Sequence, residues 1–199
     1  MVSWNDTSGS LGDGDSGGIK AQIFNPFGAS SVGTLTGTAG NDTLTGGPGN
    51  EILNGAGGSD TLIGGGGYDT YQFNSAFSHA TINNTAADGI TTSRGEIDFG
   101  AGLTEQNLWF AQSGNDLQID VLGTTEQVTV AGWSAGNARA QVDSINTTAD
   151  GAKLDTGVAQ LVSAMATYSA ANPGFNPASA TQMPNDAALQ GAVAAAWHH

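Results

Sequence analysis

The chain has no cysteine and very little positive charge in its 199 residues. Without thiols it can form neither a disulfide framework nor a thiolate metal site, so a protein that folds outside the cell needs another staple, and metal ions are one. Only four Lys and Arg stand against 18 Asp and Glu, a formal charge of −14. This balance argues against nucleic-acid partners and anionic membrane surfaces and favours multivalent cations, with plain solubility as the alternative explanation.

Long hydrophobic runs and catalytic motifs are missing as well. No stretch of 18 apolar residues occurs, so we expect no membrane insertion. The amino terminus lacks the charged and apolar regions of a Sec signal peptide. The sequence contains no HExxH, no G-x-S-x-G and no P-loop, which predicts that this chain is not an enzyme.

A nine-residue repeat is what the sequence does contain. Residues 37–72 divide without slippage into GTAGNDTLT, GGPGNEILN, GAGGSDTLI and GGGGYDTYQ, with glycine at the first and fourth positions of every block. The sixth position is acidic, at Asp42, Glu51, Asp60 and Asp69. The eighth is large and apolar, at Leu44, Leu53, Leu62 and Tyr71. A Gly-rich linker would not keep an apolar residue at every ninth position, which disfavours disorder.

The spacing predicts how each block folds. Six Gly-rich residues form a turn and the last three form a short strand whose middle residue faces inward. One block then makes half a turn of a flattened parallel coil, and blocks n and n+2 stack on the same edge. This pattern closely resembles the calcium-binding nonapeptide of the RTX (repeats-in-toxin) family, whose consensus is G-G-x-G-x-D-x-U-x.

The resemblance implies Ca²⁺ as the bound ion, and calcium takes six to eight oxygen ligands from carboxylates and carbonyls. We expect Asp42 and Asp60 to flank one ion on one edge, and Glu51 and Asp69 to flank another on the opposite edge. Backbone carbonyls should complete each shell. The candidates are those near Gly37, Ala39, Gly55 and Gly57 on the first edge, and near Gly46, Pro48, Gly64 and Gly66 on the second.

Glu51 departs from the repeat pattern because its side chain is one methylene longer than that of aspartate. The second site can therefore be weaker than the first, bidentate from Glu51, or empty.

The segments before the array indicate a longer parent protein. Residues 28–36 keep the nine-residue phase without the acidic position, which predicts a degenerate leading repeat, so that the β-roll spans 28–73. Residues 1–27 resemble a hairpin fragment from a repeat of large bacterial surface proteins. Within it, Asp13 and Asp15 either bind a cation or form an Asx-type turn.

Residues 74–155 are predicted to be a β-rich flanking domain. Their strand-like segments lie at 95–99, 107–112, 116–122, 126–130 and 142–145. The order of these segments resembles that of the β-sandwich-like domain that follows RTX repeats in type I secreted proteins. The expected fold is therefore mainly β, a parallel β-roll continued by this domain. Trp109 and Trp133 are expected to be core or cap residues, and His79 to lie in an exposed loop.

Residues 156–199 change to helical spacing and predict one or two short carboxy-terminal helices. The first has Asp155 or Thr156 as its cap, and the second runs from 185 to 197. The segment resembles the carboxy-terminal secretion signal of type I exported RTX proteins. A helical cap on the β domain is the alternative role.

The function implied by this resemblance is a calcium-binding module that folds outside the cell and carries the secretion signal of a larger protein. Its expected partners are calcium and an ABC exporter of a Gram-negative bacterium, and it is expected to be a secreted or cell-surface monomer. Two alternatives stay open at this point. One is an adhesin-tip module that binds glycan or a cell surface, and the other is the tail of an exported enzyme whose catalytic domain lies upstream.

Overall fold

The computed structural model describes residues 3–4, 20–22, 32–74, 77–85, 93–100, 102–136 and 140–199. Over these residues the chain is mainly β, with two sheets and two α-helices. The strands are β1 Ser3–Trp4, β2 Lys20–Gln22, β3 Gly33–Thr36, β4 Thr43–Thr45, β5 Glu51–Asn54, β6 Ser59–Ile63, β7 Gly67–Phe73, β8 His79–Asn83, β9 Ser93–Phe99, β10 Leu108–Ser113, β11 Asp116–Val121, β12 Gln127–Val130, β13 Ser144–Thr147 and β14 Ala152–Leu154. The helices are α1 Val158–Ala171 and α2 Ala187–Ala196.

Successive strands of the array alternate between the two sheets. The first sheet has the order β1-β2-β4-β6-β8-β12-β11-β10, and the second has the order β14-β13-β9-β7-β5-β3. Thr43 of β4 pairs with Thr61 of β6, and Ile52 of β5 pairs with Thr70 of β7, always in parallel. Partners two blocks apart confirm that each nonapeptide makes half a turn of a flattened coil. The array is therefore a parallel β-roll.

The eighth residue of each block fills the space between the two sheets. The side chains at these four positions are fully buried: Leu44, Leu53, Leu62 and Tyr71, each 0% exposed. Burying a leucine side chain contributes about 1.5–3 kcal/mol relative to leaving it in water. Because each coil adds one such residue from each sheet, the apolar position is what holds neighbouring coils together.

Strands that follow the repeats continue the same two sheets. In the first sheet, β8 pairs in parallel with β6, and β12 pairs in parallel with β8 before the antiparallel strands β11 and β10. In the second sheet, β9 pairs with β7 and β13 pairs with β9, both in parallel. One hydrophobic cluster runs from Leu35 in β3 to Trp197 near the carboxy terminus. The predicted flanking segment therefore extends the roll's own core.

The amino-terminal strands join the opposite end of the first sheet. β1 pairs antiparallel with β2, and Lys20 of β2 pairs in parallel with Thr43 of β4. The assignment of this piece to a surface-protein repeat stays a prediction. Asp13 and Asp15 lie outside the described residues.

Two strands were not predicted from the sequence, β8 and β14. Each is short, and each has neighbours across the sheet that supply its hydrogen bonds. His79 is exposed, as expected, but it is the first residue of β8 and not part of a loop.

Both helices pack on the β10 end of the structure. Trp109 of β10 is buried and contacts the rings of Tyr168 and Phe175, and Phe110 contacts Trp197. No helix in the described part of the chain is both long and apolar enough to cross a membrane.

The helix caps differ from those predicted. The residue before α1 is Gly157, at φ 88°, and no side chain caps this helix, so neither Asp155 nor Thr156 is the cap. The left-handed conformation at Gly157 turns the chain into the helix. Asp155 is engaged elsewhere, with its Oδ2 3.5 Å from His198 Nε2. The second helix begins two residues later than predicted, because Asp186 accepts a hydrogen bond from the Leu189 N–H at 2.9 Å.

Candidate metal centre

The four acidic residues of the array form two columns, one at the start of each sheet's strands. Asp42 and Asp60 stand side by side in the first column, because the residues after them, Thr43 and Thr61, are partners. Glu51 and Asp69 stand side by side in the second column, because Ile52 and Thr70 are partners. The pairing of alternate repeats, predicted from the nine-residue period, is the one the fold adopts.

Each column ends after two carboxylates in the described part of the sheets. Ala80 pairs with Asp60 in the first sheet. In the second sheet, Gly33 pairs with Glu51 at one end and Gly95 pairs with Asp69 at the other. The roll therefore offers one pair of stacked acids per edge, which fits the expectation of few ions.

The acidic side chains are buried although they are ionisable. Asp42, Glu51 and Asp60 are each 3% exposed, and Asp69 is 0% exposed. Within each column, the carboxylate of the later block accepts a hydrogen bond from the backbone N–H of the acidic residue two blocks earlier. Asp60 Oδ1 accepts from the Asp42 N–H at 3.0 Å, and Asp69 Oδ1 accepts from the Glu51 N–H at 3.0 Å.

Glu51 adopts the same turn arrangement as an aspartate, despite its extra methylene group. Its Oε2 accepts a hydrogen bond from the Gly47 N–H at 2.9 Å, four residues earlier. The Asp42 carboxylate accepts from the Thr38 N–H, also four residues earlier. The longer side chain therefore stays inside its turn, which removes the structural reason for an empty second site.

The glycine at the first position of each block makes room for this carboxylate. A Cβ added to Gly37 would collide with the Asp42 carboxylate and with the Gly55 carbonyl oxygen. A Cβ on Gly46 would collide in the same way with the Gly64 carbonyl oxygen and would crowd Glu51 Oε2. Gly37 and Gly46 thus each border a space lined by a carboxylate from their own block and a carbonyl two blocks later.

One fourth-position glycine shows why that position is also constant. Gly58 has φ +98°, a conformation that residues with a Cβ rarely adopt, and a Cβ there would strike the Gly40 carbonyl group. Gly58 is therefore required both by its backbone conformation and by the closeness of the neighbouring turn. The same close stacking of turns brings carbonyl oxygens against the carboxylates.

Residues 27–62 and 36–71 each match the family model for the RTX calcium-binding nonapeptide repeat in four copies. The chain carries RTX calcium-binding nonapeptide repeats. These repeats are calcium-binding motifs, so the ion that the two columns would hold is Ca²⁺. The first match begins at residue 27, ahead of the regular array, and so includes the leading block that lacks the acidic position.

One buried oxygen of the RTX array is aimed at no donor. Asp69 Oδ2 is inaccessible to solvent and has no hydrogen-bond partner. A buried carboxylate oxygen without a donor or counter-charge costs several kcal/mol, and a cation relieves this cost. The donor set of carboxylates and carbonyls is the one that calcium prefers, so the residues present fit the ion.

Backbone oxygens must supply most of any calcium shell here. Among the described residues, no group of three or more His, Cys, Asp or Glu side chains comes together. The structure places the predicted carbonyls of Gly55 and Gly64 against the first-position glycines of the earlier blocks. The other predicted carbonyl ligands, near Gly37, Ala39, Gly57, Gly46, Pro48 and Gly66, stay predictions.

Burial raises the pKa of carboxyl groups in both columns. It raises the pKa of Asp60 to about 6 and that of Asp69 to about 7. The backbone N–H groups that donate to these carboxylates lower both pKa values, but burial has the larger effect. The neighbouring charges of Asp42 and Glu51 add to these rises. Burial also raises the pKa of Glu51. Without a cation, the array therefore holds protons at a pH where exposed carboxyl groups have lost them.

Sequence reasoning missed two polar groups beside the second column. It treated Tyr71 only as an apolar residue of the core, and it assigned no role to Asn84. The Tyr71 hydroxyl donates a hydrogen bond to Asn84 Oδ1 at 2.9 Å, and Asn84 is completely buried. The one signal available was a tyrosine at a position where the other three blocks have leucine.

We expect the metal-free protein to lose stability as pH rises from about 4 to about 7. The folded pKa values of Asp60 and Asp69 lie above the ordinary value, so the folded state binds more protons than the unfolded state in this interval. In chelator, the β signal in circular dichroism should therefore be larger near pH 5 than near pH 8. Calcium requires the ionised form, so saturating calcium should reverse this order. A metal-free β signal that grows between these pH values would contradict the assignment.

We expect Asp42→Asn and Glu51→Gln to weaken calcium binding to a similar extent, by about an order of magnitude each at the affected edge, because each removes one charge from a shell of few carboxylates. Isothermal titration calorimetry would measure the affinity and the number of ions. Asp155→Asn is the control, since this exposed carboxylate lies outside the array. Loss of affinity in Asp42→Asn alone would show that Glu51 is not a ligand.

Proposed function

We propose that this chain is a calcium-dependent folding and export module of a larger secreted protein. The observation that carries the proposal is the burial of four carboxylates in two columns, with one oxygen of Asp69 left without a donor. Such a roll is poorly stable while its buried carboxylates are ionised and no cation is bound, and it gains stability when cations bind. The role is one of folding and binding, not of catalysis.

The difference in calcium concentration across the cell envelope would control folding. Ion binding to the native state alone adds free energy of folding that grows with the free calcium concentration. Extracellular calcium modules typically have Kd values of about 10⁻⁴–10⁻³ M, so they stay empty in calcium-poor cytosol. We propose that the chain leaves a Gram-negative cell unfolded and folds as a monomer outside it.

The carboxy-terminal segment 156–199 is the part that we propose an ABC exporter recognises. In the folded chain the apolar side of this segment is buried, at Leu161, Met165, Leu189, Val193 and Trp197. The Phe110 N–H even donates to the Met165 sulfur at 2.9 Å. Those side chains are available only before folding, so we propose that the signal is read in the unfolded chain and that the same residues later cap the core. Both roles predicted for this segment then apply, at different times.

Removal of calcium tests the folding role. Addition of a chelator at about pH 7.5 should abolish most of the β signal in circular dichroism, and excess calcium should restore it. Magnesium is the matched control, because its demand for octahedral geometry at short distances suits this carbonyl-lined space poorly. A spectrum that stays the same in chelator would rule out the calcium-dependent switch.

The export role is tested best by transferring the segment. Deleting 156–199 would also uncover Trp109 and Phe110 of the core, so loss of export in a truncated chain would be ambiguous. Residues 156–199 fused to the carboxy end of an unrelated passenger should direct it out of cells that carry a type I exporter. Residues 112–155 on the same passenger serve as a control of equal length. Retention of both fusions in the cell would reject the signal.

A further inference from the structure

The second carboxylate column ends against a buried amide. Gly95 occupies the next position after Asp69 in the sheet and has no side chain. A Cβ on Gly95 would lie 3.2 Å from Asn84 Oδ1 and would collide with the Asp69 carbonyl oxygen. The Asn84 side chain therefore lies on the side of Gly95 where a further acidic side chain would project.

Tyr71 joins this amide to the column. Its hydroxyl donates to Asn84 Oδ1 at 2.9 Å. The same hydroxyl lies beside the unpartnered Asp69 Oδ2, because a Cβ on Gly64 would collide with both oxygens. Only the last block has a hydroxyl at its eighth position, so only this end of the array can make the connection.

Asn84 also links the column to the flanking segment. Its Nδ2 donates to the Gln141 carbonyl oxygen at 2.9 Å, and Gln141 Nε2 donates to the Trp133 carbonyl oxygen at 2.9 Å. A continuous set of hydrogen bonds thus runs from the edge of the metal column to a segment about 70 residues later. This segment packs on the end of the roll through Val142, which is buried in the common core.

We propose that Tyr71 and Asn84 are positioning residues that close the second column and couple cation binding there to the docking of the 140–142 segment. A neutral amide at the end of the column supplies an oxygen without adding a third negative charge. A third charge here would be costly, because no further coil would share a cation with it. The hydroxyl and amide fix the surroundings of Asp69 Oδ2 before the ion arrives. This inference rests on the proposed calcium-dependent function.

Removing one hydroxyl group tests the positioning role. Tyr71→Phe keeps the buried ring and deletes the hydrogen bond to Asn84. Tyr68→Phe is the matched control, because its hydroxyl bonds to Glu96 Oε2 at 3.0 Å, away from the columns. In the full chain, we expect Tyr71→Phe to weaken one calcium site by about threefold to tenfold, the effect of one lost hydrogen bond. The other site and the control should keep wild-type affinity in calorimetry.

Hydrogen exchange tests the coupling. Calcium should protect the amides around Gln141 in the wild type, and Asn84→Ala should lose this protection while β4–β6 stay protected. If Asn84→Ala does not fold in calcium, the same measurement on Tyr71→Phe decides, with weaker protection at Gln141 expected. Wild-type calcium affinity and wild-type protection in Tyr71→Phe would overturn this inference alone. Absence of calcium binding in the wild type would overturn the proposed function together with it.

Discussion

The burial of negative charge in the two columns is the constraint on which the rest of the roll depends. Four carboxylates lie within turns that also crowd carbonyl oxygens against them. In water each would be ionised and hydrated, whereas in the roll two of them have pKa values raised to about 6 and 7. The structure tolerates this because protons or cations can neutralise the columns, and calcium does so at neutral pH without protonation.

The glycines and the apolar eighth residues both keep the carboxylates close to the carbonyl oxygens that face them. The first-position glycines leave space for the carboxylates, and Gly58 permits the close stacking of turns. Leu44, Leu53 and Leu62 hold successive coils together from inside. A substitution at either kind of position would separate the acids from the carbonyls that face them, even though neither contributes a charged ligand.

The four repeats make only two coils, which bury little core, so the ends of the array matter as much as the repeats. The strands after residue 73 extend both sheets and share one hydrophobic cluster with the roll. The carboxy-terminal helices complete that cluster around Trp109 and Phe110. On the function proposed above, calcium binding, closure of the column by Asn84 and burial of the terminal segment would belong to one folding process.

The sequence by itself determined the parts of the protein that repeat. The nine-residue period decided the half-turn coil, the inward eighth residue and the pairing of Asp42 with Asp60 and of Glu51 with Asp69, because these follow from local turn geometry copied along the chain. Only the tertiary structure decided how the coil ends. Tyr71 bonds to Asn84, 13 positions later, and Asn84 bonds to Gln141, 57 positions later, and these contacts obey no period. Gly157, and not Asp155 or Thr156, is the residue that precedes α1, because the chain turns there to pack the terminal segment on the core.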